Sequence, residues 1–164
     1  MSRLIRQRMS RRGALFLGTG ALLFNNEGRA AEPPINTLST GLLGGRGKSA
    51  IAGYDTVAYF TLGKAVKGRD DLAHEWMGAT WKFSSPAHLA LFKAAPQDYA
   101  PQYGGYCAYG VAQGYLVKVD PEQFSVRDGK LYLNYDAQVQ AQWLKDVPGF
   151  IRAADARFPA LLNP

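Results

Sequence analysis

The sequence predicts an α+β domain: a small antiparallel sheet from two hairpins, a helix between the hairpins, and a C-terminal helical segment. Three observations predict this class. Aromatic and polar residues alternate on both sides of a glycine at residues 74–83, and a second alternation surrounds Asp128-Gly129. A Ser-Ser-Pro helix start lies between these two stretches. Apolar residues at helical spacing follow Asp136.

Residues 1–31 are typical of a secretory signal peptide. The basic start contains the pair Arg11-Arg12, which resembles the twin-arginine type, and an apolar run extends from Gly13 to Phe24. This run is too short to span a bilayer, since a transmembrane helix needs about 20 apolar residues. We therefore expect a periplasmic or otherwise exported protein that has no stable membrane span after cleavage.

The net charge of +6 is concentrated in this leader. Residues 1–30 hold six of the 19 Lys and Arg and one of the 13 Asp and Glu, which leaves 13 basic and 12 acidic residues. The remaining chain is therefore close to neutral. No basic stripe is left that would indicate a nucleic-acid partner.

Residues 32–50 are expected to form a flexible linker, because Pro, Gly, Ser and Thr dominate them without periodicity. The segment Gly44–Ser49 is similar to a phosphate-binding loop. The pattern G-x-x-x-x-G-K-[ST] fails, however, because Leu42 stands where the first glycine is needed. The predicted domain spans residues 51–164. It opens with a turn at Gly53–Asp55 and a strand at Val57–Phe60.

The first hairpin is predicted to turn at Gly78-Ala79. That turn pairs Trp76 with Trp81 and His74 with Phe83. Because side chains alternate across a strand, these four residues share one face. His74 is thus expected at the edge of an aromatic surface.

The helix after this hairpin is capped by Ser84 or Ser85, and Pro86 suits its first turn. His88 falls in the same turn and is expected to be exposed. A short helix end or turn is expected at Gly110–Gly114.

The second hairpin has the clearest turn signal in the chain. Asp128-Gly129 joins the alternating strands Phe124–Arg127 and Lys130–Tyr135. Beyond it, Asp136 is expected to cap one helix. A second helix is predicted to start at Pro148 and end at Pro159.

A tyrosine-rich stretch surrounds the only cysteine. Tyr99, Tyr103, Tyr106 and Tyr109 fall within eleven residues that also contain Cys107. Tyrosine at this density forms either an aromatic core or a pocket wall, because each ring buries a large area while its hydroxyl needs a partner. Three interpretations of the thiol stay open: an inert buried side chain, a metal ligand, or a nucleophile.

Four segments resemble the YHS-domain family, specifically its exported single-domain members. They are residues 53–60 (GYDTVAYF), 78–84 (GATWKFS), 99–110 (YAPQYGGYCAYG) and 128–135 (DGKLYLNY). Together they are distributed along the chain from Gly53 to Tyr135. Related YHS and TRASH-type modules occur with heavy-metal transport and metal-sensing proteins, so the resemblance implies metal handling.

A soft-metal site at Cys107, with copper before zinc, is the first functional hypothesis. His74 is the preferred second ligand, His88 and an oxygen of Asp55 are further candidates, and Met77 suits Cu(I). A structural zinc ion needs four ligands, and one cysteine cannot supply a thiolate cluster.

The alternative is a module that binds a small apolar ligand or a protein partner with an aromatic face. Its candidate residues are Tyr54, Asp55, Tyr103, Tyr106 and Tyr109. The sequence contains no paired carboxylates, no C-x-x-C motif and no serine elbow. We therefore expect a non-enzymatic protein.

Overall fold

The computed structural model describes residues 31–38 and 47–163, and within them the α+β class is confirmed. Its strands are β1 Arg69–Trp76, β2 Ala79–Phe83, β3 Asp120–Arg127 and β4 Lys130–Asn134. Its α-helices are α1 Ala58–Thr61, α2 Pro86–Ala94, α3 Pro96–Tyr99, α4 Ala108–Gln113, α5 Ala137–Trp143 and α6 Val147–Leu162. The predicted signal peptide, including Arg11-Arg12, lies outside the described residues.

The two hairpins form two separate two-stranded sheets, β1–β2 and β3–β4. Two clusters of buried side chains hold the domain together. One includes Trp81 and Phe92, and the other includes Tyr106 and Trp143. None of the helices in the described part of the chain has the length and apolar character to cross a bilayer.

The first hairpin turns one residue earlier than predicted. Met77 and Gly78 occupy the turn with φ of 49° and 75°, so Trp76 faces Ala79 and His74 faces Trp81. The predicted turn at Gly78-Ala79 was wrong. The predicted face was right, because the change in pairing preserves the alternation of side chains.

The predicted strand at Val57–Phe60 was also wrong, because the helix α1 occupies this position. The Asp55 carboxylate accepts hydrogen bonds from the backbone N–H groups of Val57 (2.9 Å) and Ala58 (3.3 Å). Such a side-chain cap satisfies donors that a helix start leaves free, and it favours helix over strand.

Two predicted caps are confirmed. Ser85 accepts a hydrogen bond from the N–H of His88, with Pro86 in the first turn of α2. Asp136 accepts one from the N–H of Val139 at the start of α5.

The predicted end of the last helix was wrong, because α6 passes through Pro159 and continues to Leu162. Phe158 and Leu161 pack against the second cluster. This packing holds the final turn in place despite the N–H that proline lacks.

Part of the predicted flexible linker is packed against the domain. Ile35 and Asn36 are buried, and the Asn36 amide donates to the carbonyl of Gly105 at 2.9 Å. Gly104 has φ of +60°, and a Cβ there would lie 1.8 Å from the carbonyl oxygen of Pro34. The contact therefore depends on glycine at position 104. We call residues 31–38 the N-terminal strap.

Candidate functional site

A cleft of about 370 Å³ lies where the start of the domain meets the base of the second hairpin. Its lining residues come from four parts of the chain: Tyr54, Lys67, Lys118, Val119, Asp120, Pro121 and Tyr135. We call it the Tyr54–Tyr135 cleft. Its volume is within the range of about 300–1,000 Å³ that is typical of small-molecule sites.

One part of the lining is a short antiparallel bridge between Tyr54 and Lys67. Backbone hydrogen bonds flank this bridge on both sides: the Asp55 N–H donates to the Val66 carbonyl at 2.8 Å, and the Gly68 N–H donates to the Gly53 carbonyl at 2.9 Å. The Lys67 ammonium donates to the Ala52 carbonyl at 2.6 Å and lies 4.6 Å from the centre of the Tyr54 ring. The ring and the charge are thus held together.

The second hairpin repeats this arrangement of a ring and an ammonium group. Lys118 Nζ lies 5.7 Å from the centre of the Tyr135 ring, and Tyr135 directly follows β4. The Tyr59 hydroxyl holds one lining residue in place by donating to the Pro121 carbonyl at 2.9 Å. Burial raises the pKa of Tyr59, so this hydroxyl keeps its proton.

The side chains that line the cleft carry more positive than negative charge. It contains two ammonium groups, on Lys67 and Lys118, and one carboxylate, on Asp120. Among the ion pairs of residues 31–38 and 47–163, none involves either lysine. The cleft therefore has the charge and the aromatic surface to take a small planar anion.

Of the residues predicted to bind a ligand, Tyr54 lines this cleft, whereas Tyr103 and Tyr106 belong to the second core cluster. The Tyr103 hydroxyl donates to the Asp155 carboxylate at 2.8 Å, and the Tyr106 hydroxyl donates to the Pro33 carbonyl at 3.1 Å. Burial and the hydrogen bond to Asp155 raise the pKa of Tyr103. These two rings are core residues with satisfied hydroxyls.

Tyr109 is half-buried, and its ring packs edge-on against Phe150 with 5.0 Å between ring centres. This contact joins α4 to α6. Its observed role is therefore in helix packing.

Cys107 lies at the start of α4, and its side chain is 1% exposed. The Gly110 N–H donates to its sulfur at 3.3 Å, and the sulfur lies 3.9 Å from Asn134 Oδ1. Burial raises the pKa of the Cys107 thiol, although backbone N–H groups of Gly110, Tyr135 and Tyr109 act in the opposite direction. The thiol form is favoured in this setting.

The two predicted metal ligands have different surroundings. The His74 ring packs against Phe92, with 6.3 Å between ring centres, whereas the polar neighbours of Cys107 are Gly110 and Asn134. Within the part of the chain that the structure describes, no group of three or more His, Cys, Asp and Glu could hold a metal ion. Met77 is 51% exposed in the hairpin turn.

Asp55 is fully buried and organises a polar cluster instead of lining the cleft. Its Oδ2 accepts hydrogen bonds from the N–H (2.8 Å) and hydroxyl (2.6 Å) of Ser84. The same oxygen lies 2.6 Å from His88 Nδ1. The expectation that His88 would be exposed was wrong: its side chain is 12% exposed, because Asp55 holds it against the domain.

Comparisons with protein-family models, with curated proteins and with solved structures found no match. The resemblance to the YHS family therefore depends on the sequence motifs alone. The function has to be argued from the chemistry of the site.

Proposed function

We propose that this chain is an exported binding domain that takes a small planar anion into the Tyr54–Tyr135 cleft. The observation that carries the proposal is the pair of ring–ammonium contacts, Lys67 on Tyr54 and Lys118 on Tyr135, that line one cavity. Export is inferred from the arginine pair and apolar run of the leader.

An aromatic carboxylate matches these contacts best. The rings of Tyr54 and Tyr135 offer stacking surfaces, and the ammonium groups offer charge-assisted hydrogen bonds to a carboxylate. Lys118 is half-buried, whereas Lys67 is exposed and already donates to a carbonyl. Lys118 is thus expected to contribute more to the affinity, since charge interactions are stronger where water is partly excluded.

The first prediction concerns the binding of benzoate to the mature protein, measured by calorimetry and by NMR shifts. Benzoate is expected to bind more tightly than benzamide or acetate, because only benzoate combines a ring with a charge. Lys118→Gln should weaken benzoate at least about tenfold, the scale of one charge-assisted hydrogen bond. Lys93→Gln is the matched control, because Lys93 is exposed on α2 and does not line the cleft.

Equal affinity for benzoate, benzamide and acetate would contradict the proposed ligand class. Equal loss of benzoate affinity in the Lys118 and Lys93 variants would show that overall charge is responsible rather than the cleft. If benzoate does not bind at all, the proposed function is wrong.

Soft-metal binding through Cys107 is the second candidate, with copper before zinc. Its support is the set of backbone N–H groups around the sulfur, since a metal ligand must be a thiolate and these groups stabilise negative charge. Among the residues that the structure describes, Cys107 does not belong to any group of three or more His, Cys, Asp and Glu that could hold a metal ion.

The second prediction follows iodoacetamide labelling of Cys107. Native protein should label slowly, because the thiol is buried and its pKa is raised. If copper binds there, Cu(I) should slow the labelling further, and Cys107→Ser should lose stoichiometric Cu(I), because oxygen is a poor ligand for this ion. His74→Gln tests the preferred second ligand. Identical copper binding by Cys107→Ser and the native chain would exclude the site.

A further inference from the structure

We propose that Asp55, His88 and Thr61 form a hydrogen-bonded relay that makes the Thr61 hydroxyl a nucleophile toward small activated acyl esters. This activity would be separate from ligand binding in the cleft, because none of the three residues lines it. It also departs from the expectation of a non-enzymatic chain.

The relay has the order carboxylate, imidazole, hydroxyl. Asp55 Oδ2 lies 2.6 Å from His88 Nδ1, and His88 Nε2 lies 3.1 Å from Thr61 Oγ1. This is the order in which an acyl-transfer triad connects its acid, base and nucleophile. The three residues come from the turn after Tyr54, from α2 and from the end of α1, so local sequence does not explain the arrangement.

The carboxylate fixes which ring nitrogen is free to act as a base. Asp55 Oδ2 accepts hydrogen bonds, so Nδ1 of His88 carries its proton toward that oxygen. In the neutral ring, Nε2 is then the acceptor, and it is the atom that faces Thr61. Ser84 and the start of α1 hold the carboxylate in place from other directions.

The Thr61 hydroxyl has a second acceptor, the Val57 carbonyl at 3.0 Å. A threonine in a helix commonly makes this bond, and it is the purely structural explanation for the position of the hydroxyl. The hydroxyl is activated as a nucleophile only in those molecules in which Thr61 donates its proton to His88 Nε2.

Solvent and substrate can reach the end of the relay. Thr61 is exposed, whereas His88 is mostly covered and Asp55 is fully buried. The loop after Thr61 has open space around Gly63, because a Cβ at that position would have no other atom within 4 Å. An exposed hydroxyl in an open surface suits small esters with good leaving groups rather than large substrates.

The reaction balances with water as the second reactant. Thr61 Oγ1 attacks the ester carbonyl while His88 Nε2 takes the hydroxyl proton, and the alcohol leaves with that proton. Water then attacks the acyl-threonine with His88 as base, which releases the acid and restores the hydroxyl.

The third prediction tests this proposal on the mature protein with two probes, p-nitrophenyl acetate and a fluorophosphonate. Thr61→Val removes the hydroxyl from an exposed position with little change in shape, and it should abolish p-nitrophenol release above background. Thr61→Ser should retain it. His88→Gln should slow it about 100-fold or more, the usual contribution of a general base. Peptide mapping should place the phosphonyl label on Thr61.

Thr80→Val is the matched control, because the Thr80 hydroxyl donates to the Glu75 carboxylate and has no imidazole partner. Its p-nitrophenol release and labelling should equal those of the native chain. Unchanged turnover in Thr61→Val, or a label found only on other residues, would overturn the proposal. Melting curves of each variant separate lost reactivity from lost folding.

Discussion

The two hairpins of this domain use the same turn geometry, yet only the second could be predicted from its sequence. In β3–β4, Asp128 and Gly129 have φ of 50° and 70°; in β1–β2, Met77 and Gly78 have φ of 49° and 75°. Glycine takes the second turn position in both cases. The difference lies in the first position, where aspartate adopts left-handed backbone at a lower energetic cost than methionine.

The comparison indicates that packing, rather than turn chemistry, sets the register of the first hairpin. Trp81 is buried and stacks on Phe92 with 5.0 Å between ring centres, and Ala79 is buried as well. These contacts fix β2 relative to α2. Met77 then adopts the conformation that closes the turn, although its side chain gains little burial there.

The fourth prediction concerns the turns of both hairpins, which the same substitution, glycine to valine, should destabilise. Gly78→Val and Gly129→Val should each lower the free energy of unfolding by about 1–3 kcal/mol, because valine resists positive φ. Nothing lies within 4 Å of a Cβ at either glycine, so the loss is due to the backbone alone. Urea unfolding measures it, with Lys130→Val as a control at an exposed strand position. An unaffected Gly129 variant would place the second turn elsewhere.

The fifth prediction sharpens the comparison with a smaller effect. Met77→Asn should stabilise the protein by up to about 1 kcal/mol, because Asn-Gly suits this turn, and Asp128→Met should destabilise it by a similar amount. Both changes are at exposed positions. Paired thermal melts of the two variants measure the effect. A Met77→Asn variant no more stable than the native chain would mean that the exposed methionine makes a contact that offsets its strain.

Local sequence signals predicted the elements that local contacts determine. The Asp128-Gly129 turn and the caps at Ser85 and Asp136 each act within four residues of their position. The α1 region was misread because the apolar run Val57–Phe60 suits a strand, whereas the buried Asp55 carboxylate accepts hydrogen bonds from the first N–H groups of a helix. The contacts of Asp55 with Ser84 and His88 cross the domain and leave no local pattern.

The candidate cleft could be predicted only in part, for the same reason. Tyr54 was identified from its motif, but Lys67 and Lys118 are separated from it in the chain and have no motif of their own. Tyr135 ends the DGKLYLNY segment and offered the one available signal. Lys67 meets Tyr54 through the bridge between these two residues, and Lys118 meets Tyr135 because they flank the two strands of the second hairpin.

The N-terminal strap also bears on how fast the domain folds. Asn36 bonds to Gly105 across 69 residues of sequence, and the Glu32 N–H donates to the Leu162 carbonyl at the end of α6. Such non-local contacts cost loop-closure entropy, so we expect them to form after the local contacts of the hairpins. We expect a chain whose strap is held away from the Tyr103–Gly105 turn to lose the hydrogen bond from the Tyr106 hydroxyl to the Pro33 carbonyl.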